Sequence, residues 1–235
     1  MGKNKLARWA EMKSFNNVIE PVTEEAKAGD HPLKGRWRND HFKNTNPIVL
    51  ELGCGKGEYT VGLAVKFPFK NFIGVDIKGA RIWRGAKTAY EKKIPNASFL
   101  RTRIEFINSF FLNDEIDEVW LTFPDPYPKI RNARKRLTSP HFLNLYRSLL
   151  RDNGIVHLKT DNRDLYNYTC SIAEHNNLEI INATEDLYSG RIENDILTIR
   201  THYENIFLRK KIRINYLSFR LNKNRIIEDS SEKQQ

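Results

Sequence analysis

Cysteine is scarce in this chain: Cys54 and Cys170 are the two thiols among 235 residues. Two thiols cannot build a disulfide framework or a cysteine-rich zinc site, and a reduced, cytoplasmic setting fits them most simply. The six histidines are scattered with no metal-ligand spacing, so no metal is expected. Long apolar runs are also missing. None approaches the ~20 residues of a membrane span. The opening residues, MGKNKLAR, run into polar sequence, so no signal peptide is expected. Acid is in short supply against base, Asp+Glu 29 to Lys+Arg 39, a formal net charge of +10. That imbalance favours a polyanionic partner such as a nucleic acid.

What is present is a regular alternation. With 40% hydrophobic residues the chain can bury a sizeable core. Residues 1–46 are basic, without a clear strand pattern, and are expected to form an arm or short helices. From Pro47 on, apolar runs predict strands at 48–52, 71–75, 97–100, 119–121, 155–158, 178–181 and 212–219. Helices are expected at 59–67, 80–93, 104–111, 140–150, 165–175 and 201–211, the fourth capped by Ser139, opened by Pro140 and ended at Asn153-Gly154. Residues 182–194 read as polar and turn-like. The alternation predicts an α/β fold: a doubly wound, mostly parallel seven-stranded sheet with an antiparallel edge strand at 212–219. The expected organisation is an arm at 1–46, a domain at 47–221, and a polar, frayed tail at 222–235.

Two segments carry chemistry. The first is TFPDPYPKIRNARKRL (122–137), which follows a buried strand. Prolines at 124, 126 and 128 fix φ and push their neighbours toward extended conformations, so this is a stiff loop. It holds one acid, Asp125, one ring, Tyr127, and then Lys129, Arg131, Arg134, Lys135 and Arg136. A charge run is usually a solvated face, but this one adjoins a strand end, where open α/β sheets bind ligands. Phosphate contact is therefore the favoured reading. Tyr127 could stack on a base or fill the loop.

The second segment is ELGCGKGE (51–58), between a strand and a helix. Gly53 and Gly55 permit a tight turn and close approach by a ligand. The spacing is G-x-G-x-G, not the G-x-G-x-x-G of dinucleotide folds. Glu51 would repel a pyrophosphate but suit a sulfonium with an α-amino group. Asp76 ends the next strand, where a ribose-binding acid belongs. Acid, turn and second acid fit S-adenosylmethionine better than NAD; the bland alternative is a tight turn with solvated carboxylates.

The run PIVLELGCGKG (47–57) resembles the cofactor loop of class I methyltransferases. The segment FPDPYPKIRNARKRL (123–137) is more specific. It resembles the signature of the bacterial tRNA (guanine-N7-)-methyltransferase family, roughly F-P-D-P-W-P-K-[KR]-R-H-x-K-R-R-L. FL (142–143), HLKTDN (157–162) and THYE (201–204) match as well, and the likeness runs from about residue 35 to 219. It implies methyl transfer from S-adenosylmethionine to N7 of a guanosine in the tRNA variable loop. It further implies Asp125 at the reacting centre and at the cofactor, with Lys129, Asp161, Thr201, Tyr203 and Glu204 on the substrate. Asp161 could equally cap the helix after it. The chain departs from the family at Arg103, where relatives carry an adenosine-contacting acid; backbone groups there, or Glu105, are the substitutes. Tyr127 for Trp and Asn132 for His are smaller departures.

Guanine N7 bears a lone pair and no proton, so its methylation needs no general base. Cytosine C5 chemistry would need a cysteine beyond a strand end, and Cys54 and Cys170 are elsewhere. Exocyclic-amine methylation uses [DN]-P-P-[YFW]; Asp125-Pro-Tyr127 lacks the second proline. That activity, a non-catalytic RNA-binding protein on the same fold, and a small-molecule or protein methyltransferase are the alternatives. The sequence decides nothing between monomer and homodimer.

Overall fold

The apolar runs become ladder strands in the computed structural model of the chain, which describes residues 2–189 and 199–229. The chain divides into two compact units, Met1–Leu112 and Asn113–Gln235.

In the first unit, α1 (Gly2–Met12), β1 (Val18–Ile19) and α2 (Thr23–Ala28) precede one π-helical turn (Trp37–Phe42). Then follow β2 (Ile48–Leu52), α3 (Glu58–Lys66), β3 (Asn71–Asp76), α4 (Gly79–Glu91), β4 (Ala97–Arg101) and a 3-10 helix (Ile104–Ser109). β2, β3 and β4 pair in parallel register, Leu50 beside Ile73 and Ile73 beside Ser98. Every residue of β2 and β3 is buried, as near-continuous apolar strands covered on both faces require.

In the second unit come β5 (Ile116–Thr122), a 3-10 helix (Ile130–Lys135), α5 (Pro140–Leu149), β6 (Leu150–Thr160), α6 (Arg163–His175), β7 (Ile180–Thr184), α7 (His202–Arg209) and β8 (Asn215–Leu221). β5 and β6 are parallel. β8 runs antiparallel to both β6 and β7.

The strand order is β1-β4-β3-β2 in the first unit and β5-β6-β8-β7 in the second, eight strands rather than the expected seven. The additional strand is β1, two residues long and paired with Phe99 and Leu100. It is too short to show alternation. The antiparallel strand was expected at the edge; it lies one place in, with β7 at the edge. The helix expected to end at Asn153-Gly154 stops at Leu149. β6 starts at once and absorbs those residues in an irregularity, Asn153 taking φ 59°. Residues 190–194 of the turn-like stretch lie outside the described residues.

The arm belongs to the body of the first unit. Glu11 accepts hydrogen bonds from Trp83 Nε1 at 2.8 Å and Lys87 Nζ at 2.6 Å, and Phe15 stacks on Tyr90. Arg101 pairs with Glu20 at 2.8 Å. Trp37 is fully buried, stacks on Phe111 with centroids 5.1 Å apart, and donates from Nε1 to Phe110 O at 2.7 Å. The tail expected to fray from residue 222 is held as far as Glu228. Asn144 bonds Ile227 through both N and O, and Glu228 N donates to Asn176 Oδ1 at 2.9 Å. Residues 230–235 lie outside the described residues.

Trp37→Ala should cost about 3–5 kcal/mol by the cavity and the lost donor. Denaturant unfolding would measure it; a loss below 1 kcal/mol would mean the arm is dispensable to the first unit.

Candidate active site

The glycine turn sits between β2 and α3. Gly53, Gly55 and Gly57 have φ of 81°, 56° and 68°, a region open to glycine at little cost. Gly53 N and Cys54 N both donate to Val75 O, at 2.8 and 3.0 Å. Gly55 N donates to Asp76 Oδ2 at 3.0 Å, and Lys78 N to Asp76 Oδ1 at 2.8 Å. Glu51, 3% exposed, accepts from Thr60 N at 2.8 Å and from the Thr60 hydroxyl through the same oxygen. The α3 N-cap is Gly57, which has no side chain to offer; Glu51 caps the helix from the strand before it. Both predicted acids thus buttress the turn. Burial first, then Glu51 and Asp76, push the Cys54 thiol well above its usual range.

A Cβ on Gly55 would meet nothing nearer than Gly53 O at 4.0 Å, so the turn is open at that point. Behind it, a Cβ on Gly74 would fall 2.7 Å from Thr60 Oγ1 and 2.9 Å from Cys54 Sγ. Two buried carboxylates at an open glycine turn suit a cationic nucleoside ligand and disfavour a pyrophosphate. That is the donor set S-adenosylmethionine requires. Arg103 and Glu105, the rival candidates after β4, meet each other at 3.5 Å, both exposed.

In the second unit the proline loop leaves the end of β5. Phe123 and Tyr127 take left-handed φ of 51° and 42°. Such non-glycine conformations cost about 1–3 kcal/mol each and persist where surroundings over-determine them. Phe123 N donates to Lys159 O at 2.7 Å, and its ring meets Phe207 at 5.7 Å. The Arg136 guanidinium donates to Pro126 O at 3.2 Å and to Tyr127 O at 3.1 Å, and lies over the Tyr168 ring at 4.3 Å. Arg136, expected to take a phosphate with its neighbours, also has donors that hold the loop. Asp125, Lys129, Arg131, Arg134 and Lys135 are exposed.

Asp161 follows β6 and is half-buried; burial pushes its carboxyl up. The cap of α6 is Asn162, whose Oδ1 accepts from Leu165 N at 2.8 Å, so Asp161 is not spent on that role. Thr201 and Glu204 form a reciprocal capping box at the start of α7. Glu204 is fully buried, 2.7 Å from the equally buried Lys159 Nζ, and accepts from Tyr188 Oη at 2.6 Å. Tyr203 beside it is half exposed. His157, read as core, is buried: it stacks on Trp120 at 3.9 Å and bonds Tyr216 Oη at 3.0 Å.

Sequence reasoning passed over Thr60, Lys159 and Tyr188. Lys159 had a signal: a lysine inside an apolar strand demands a buried partner. Among the described residues, no helix is long and apolar enough to cross a membrane, and no group of three His, Cys, Asp or Glu side chains could hold a metal ion.

Fold and turn together define the class I methyltransferase architecture, a doubly wound α/β sheet with a glycine turn flanked by acids. The 16S rRNA methyltransferase KamB shares that fold, with a TM-score of 0.57 at 13% identity over 75% of this chain and 88% of its own. The family model described as "Putative methyltransferase" matches residues 45–217. The tRNA (guanine-N(7)-)-methyltransferase of Bacteroides fragilis is 49% identical, covering 94% of this chain and 87% of its own length. That of Christiangramia forsetii is 48% identical, covering 93% and 98%. The chain belongs to the bacterial tRNA (guanine-N7-)-methyltransferase family.

Two outcomes follow from this geometry. Gly74→Ala should weaken S-adenosylmethionine binding about tenfold or more by displacing Thr60 and Cys54, each tenfold being about 1.4 kcal/mol; calorimetry giving an unchanged Kd would contradict it. Arg136→Ala should lower kcat between about 10- and 100-fold, as a misplaced reacting group does. It should also leave the salt dependence of tRNA binding intact, whereas Lys129→Ala should reduce that slope by about one unit. A reduced slope in Arg136→Ala would return that residue to the phosphates.

Proposed function

We propose that this chain transfers the methyl group of S-adenosylmethionine to N7 of a guanosine in the variable loop of tRNA. The observation that carries the reading is the 46–49% identity, over most of the chain, to relatives named for guanine-N7 methylation of tRNA. The first unit binds the cofactor: Glu51 and Asp76 with the backbone of Gly53 and Gly55, and position 103 toward the adenosine. The second unit binds the nucleotide: Lys129, Arg131 and Arg134 on phosphates, Asp161 and Tyr203 on the guanosine, Thr201 as the cap that sets Tyr203. On this reading residues 47–221 carry catalysis, with the arm (1–46) as support for the cofactor half.

The bound cofactor supplies a methyl on a positively charged sulfur. The protein's part is orientation and charge. N7 offers a lone pair without losing a proton, so no side chain must act as a base. Holding N7 in line can supply roughly 7–11 kcal/mol through effective molarity. The guanine ring gains positive charge as the bond forms, and the Asp125 carboxylate favours that build-up. The stiff loop fixes Asp125 before the substrate arrives. N7 lies on the major-groove edge, which in A-form RNA is too deep and narrow for side chains to read. A loop guanosine is the accessible target, and the exposed cations of 129–135 suit the phosphates around it.

Incubating the protein with tRNA and S-adenosylmethionine, then mapping 7-methylguanosine, should find one variable-loop position modified. Asp125→Ala should lower single-turnover methylation by about 10²–10³-fold. Methyl groups on an exocyclic amine, or full turnover in Asp125→Ala, would overturn the assignment.

A further inference from the structure

Residue 159 is the junction of the second unit. Its backbone carbonyl takes the Phe123 amide that opens the proline loop. Its strand runs on through Thr160 to Asp161. Its ammonium, fully buried, reaches Glu204 Oε1 at 2.7 Å and Ile199 O at 3.1 Å, on either side of the start of α7. Three segments bearing candidate guanosine contacts, Asp125, Asp161 and Tyr203, are thus tied to one lysine. Glu204 is occupied from several directions. It takes Lys159 and the Tyr188 hydroxyl on Oε1, and the Thr201 amide on Oε2 at 3.3 Å. Arg200 lies over the Tyr188 ring at 5.0 Å.

An ion pair sealed from water is a poor source of net stability, because desolvating both charges offsets their attraction. Its value lies in geometry: a buried charge tolerates one arrangement of partners, and a helix start tied to it cannot drift. We propose that the Lys159–Glu204 pair is a positioning device that fixes the start of α7, and with it Tyr203, against the segments carrying Asp125 and Asp161. Glu204 acts through this pair and does not touch the guanosine. The inference rests on the methyl-transfer reading above and assigns its substrate half a specific anchor.

The test compares the full-length parent with Tyr188→Phe, Glu204→Gln and the apolar double variant Lys159→Met/Glu204→Leu. The double variant should fold, keep the parent Kd for S-adenosylmethionine, and lose about 10- to 100-fold in kcat on tRNA. Glu204→Gln, which keeps hydrogen bonds to Lys159 and Tyr188, and Tyr188→Phe should lose less. Amide hydrogen exchange should rise at residues 201–209 in the double variant and stay unchanged at 51–57. A double variant with parental kcat and KM would overturn the proposal. So would abolished turnover in Glu204→Gln with undisturbed exchange, which marks a carboxylate in direct contact. If the double variant does not fold, the two single variants decide: graded losses with raised exchange at 201–209 support the anchor, and parental behaviour in both overturns it. A parent that methylates no tRNA would sink the functional reading alone; the exchange pattern would still judge the anchor.

Discussion

Backbone N–H and C=O groups taken out of water must find partners, and at both candidate site segments no ladder supplies them. In the glycine turn, Val75 O accepts two amides, Asp76 takes the amides of Gly55 and Lys78, and Glu51 takes the first turn of α3. In the proline loop three residues lack an N–H altogether. The carbonyls of Pro126 and Tyr127 turn to Arg136, and the Phe123 amide turns to Lys159 O. Each irregular segment is rigid because ionisable side chains were recruited to complete its backbone. Backbone support is therefore one occupation of the acids and bases in these segments. Separating support from ligand contact is the central task in assigning them.

The same constraint explains the arm. A basic stretch without periodicity suggests a loose extension, yet Glu11 meets Trp83 and Lys87, Trp37 fills the space beside Phe111, and Arg101 closes on Glu20. Long-range partners of this kind leave no periodic trace, since each side chain answers to a residue some 70 or more positions away.

The fold was legible because buried parallel strands are nearly pure apolar runs. Ile48–Leu52 and Asn71–Asp76 announce themselves as such runs. β1 was illegible: two residues cannot display a period. β6 was half legible, since Asn153-Gly154 has the chemistry of a helix end and serves here as a break within a strand. At the site, the glycines and acids of 51–58 could be read from spacing. What those acids hold could not, because Thr60 is an ordinary helix residue until the turn closes on it. Arg136 and Glu204 looked like members of a basic run and a substrate motif. Only their partners, Pro126, Tyr127 and Tyr168 for one, Lys159 and Tyr188 for the other, show the part they have in the architecture.

Cys54 lies buried in the glycine turn, with Glu51 and Asp76 both acting to keep its sulfur protonated. The thiolate, not the thiol, is the nucleophilic form. On the proposed reading, the turn that receives an alkylating sulfonium carries the type of side chain most readily alkylated. Burial does most to hold that sulfur in its unreactive state, and the two carboxylates that suit a positive charge add to it. The charge that suits a methyl donor thus also quiets a sulfur that could intercept the methyl group.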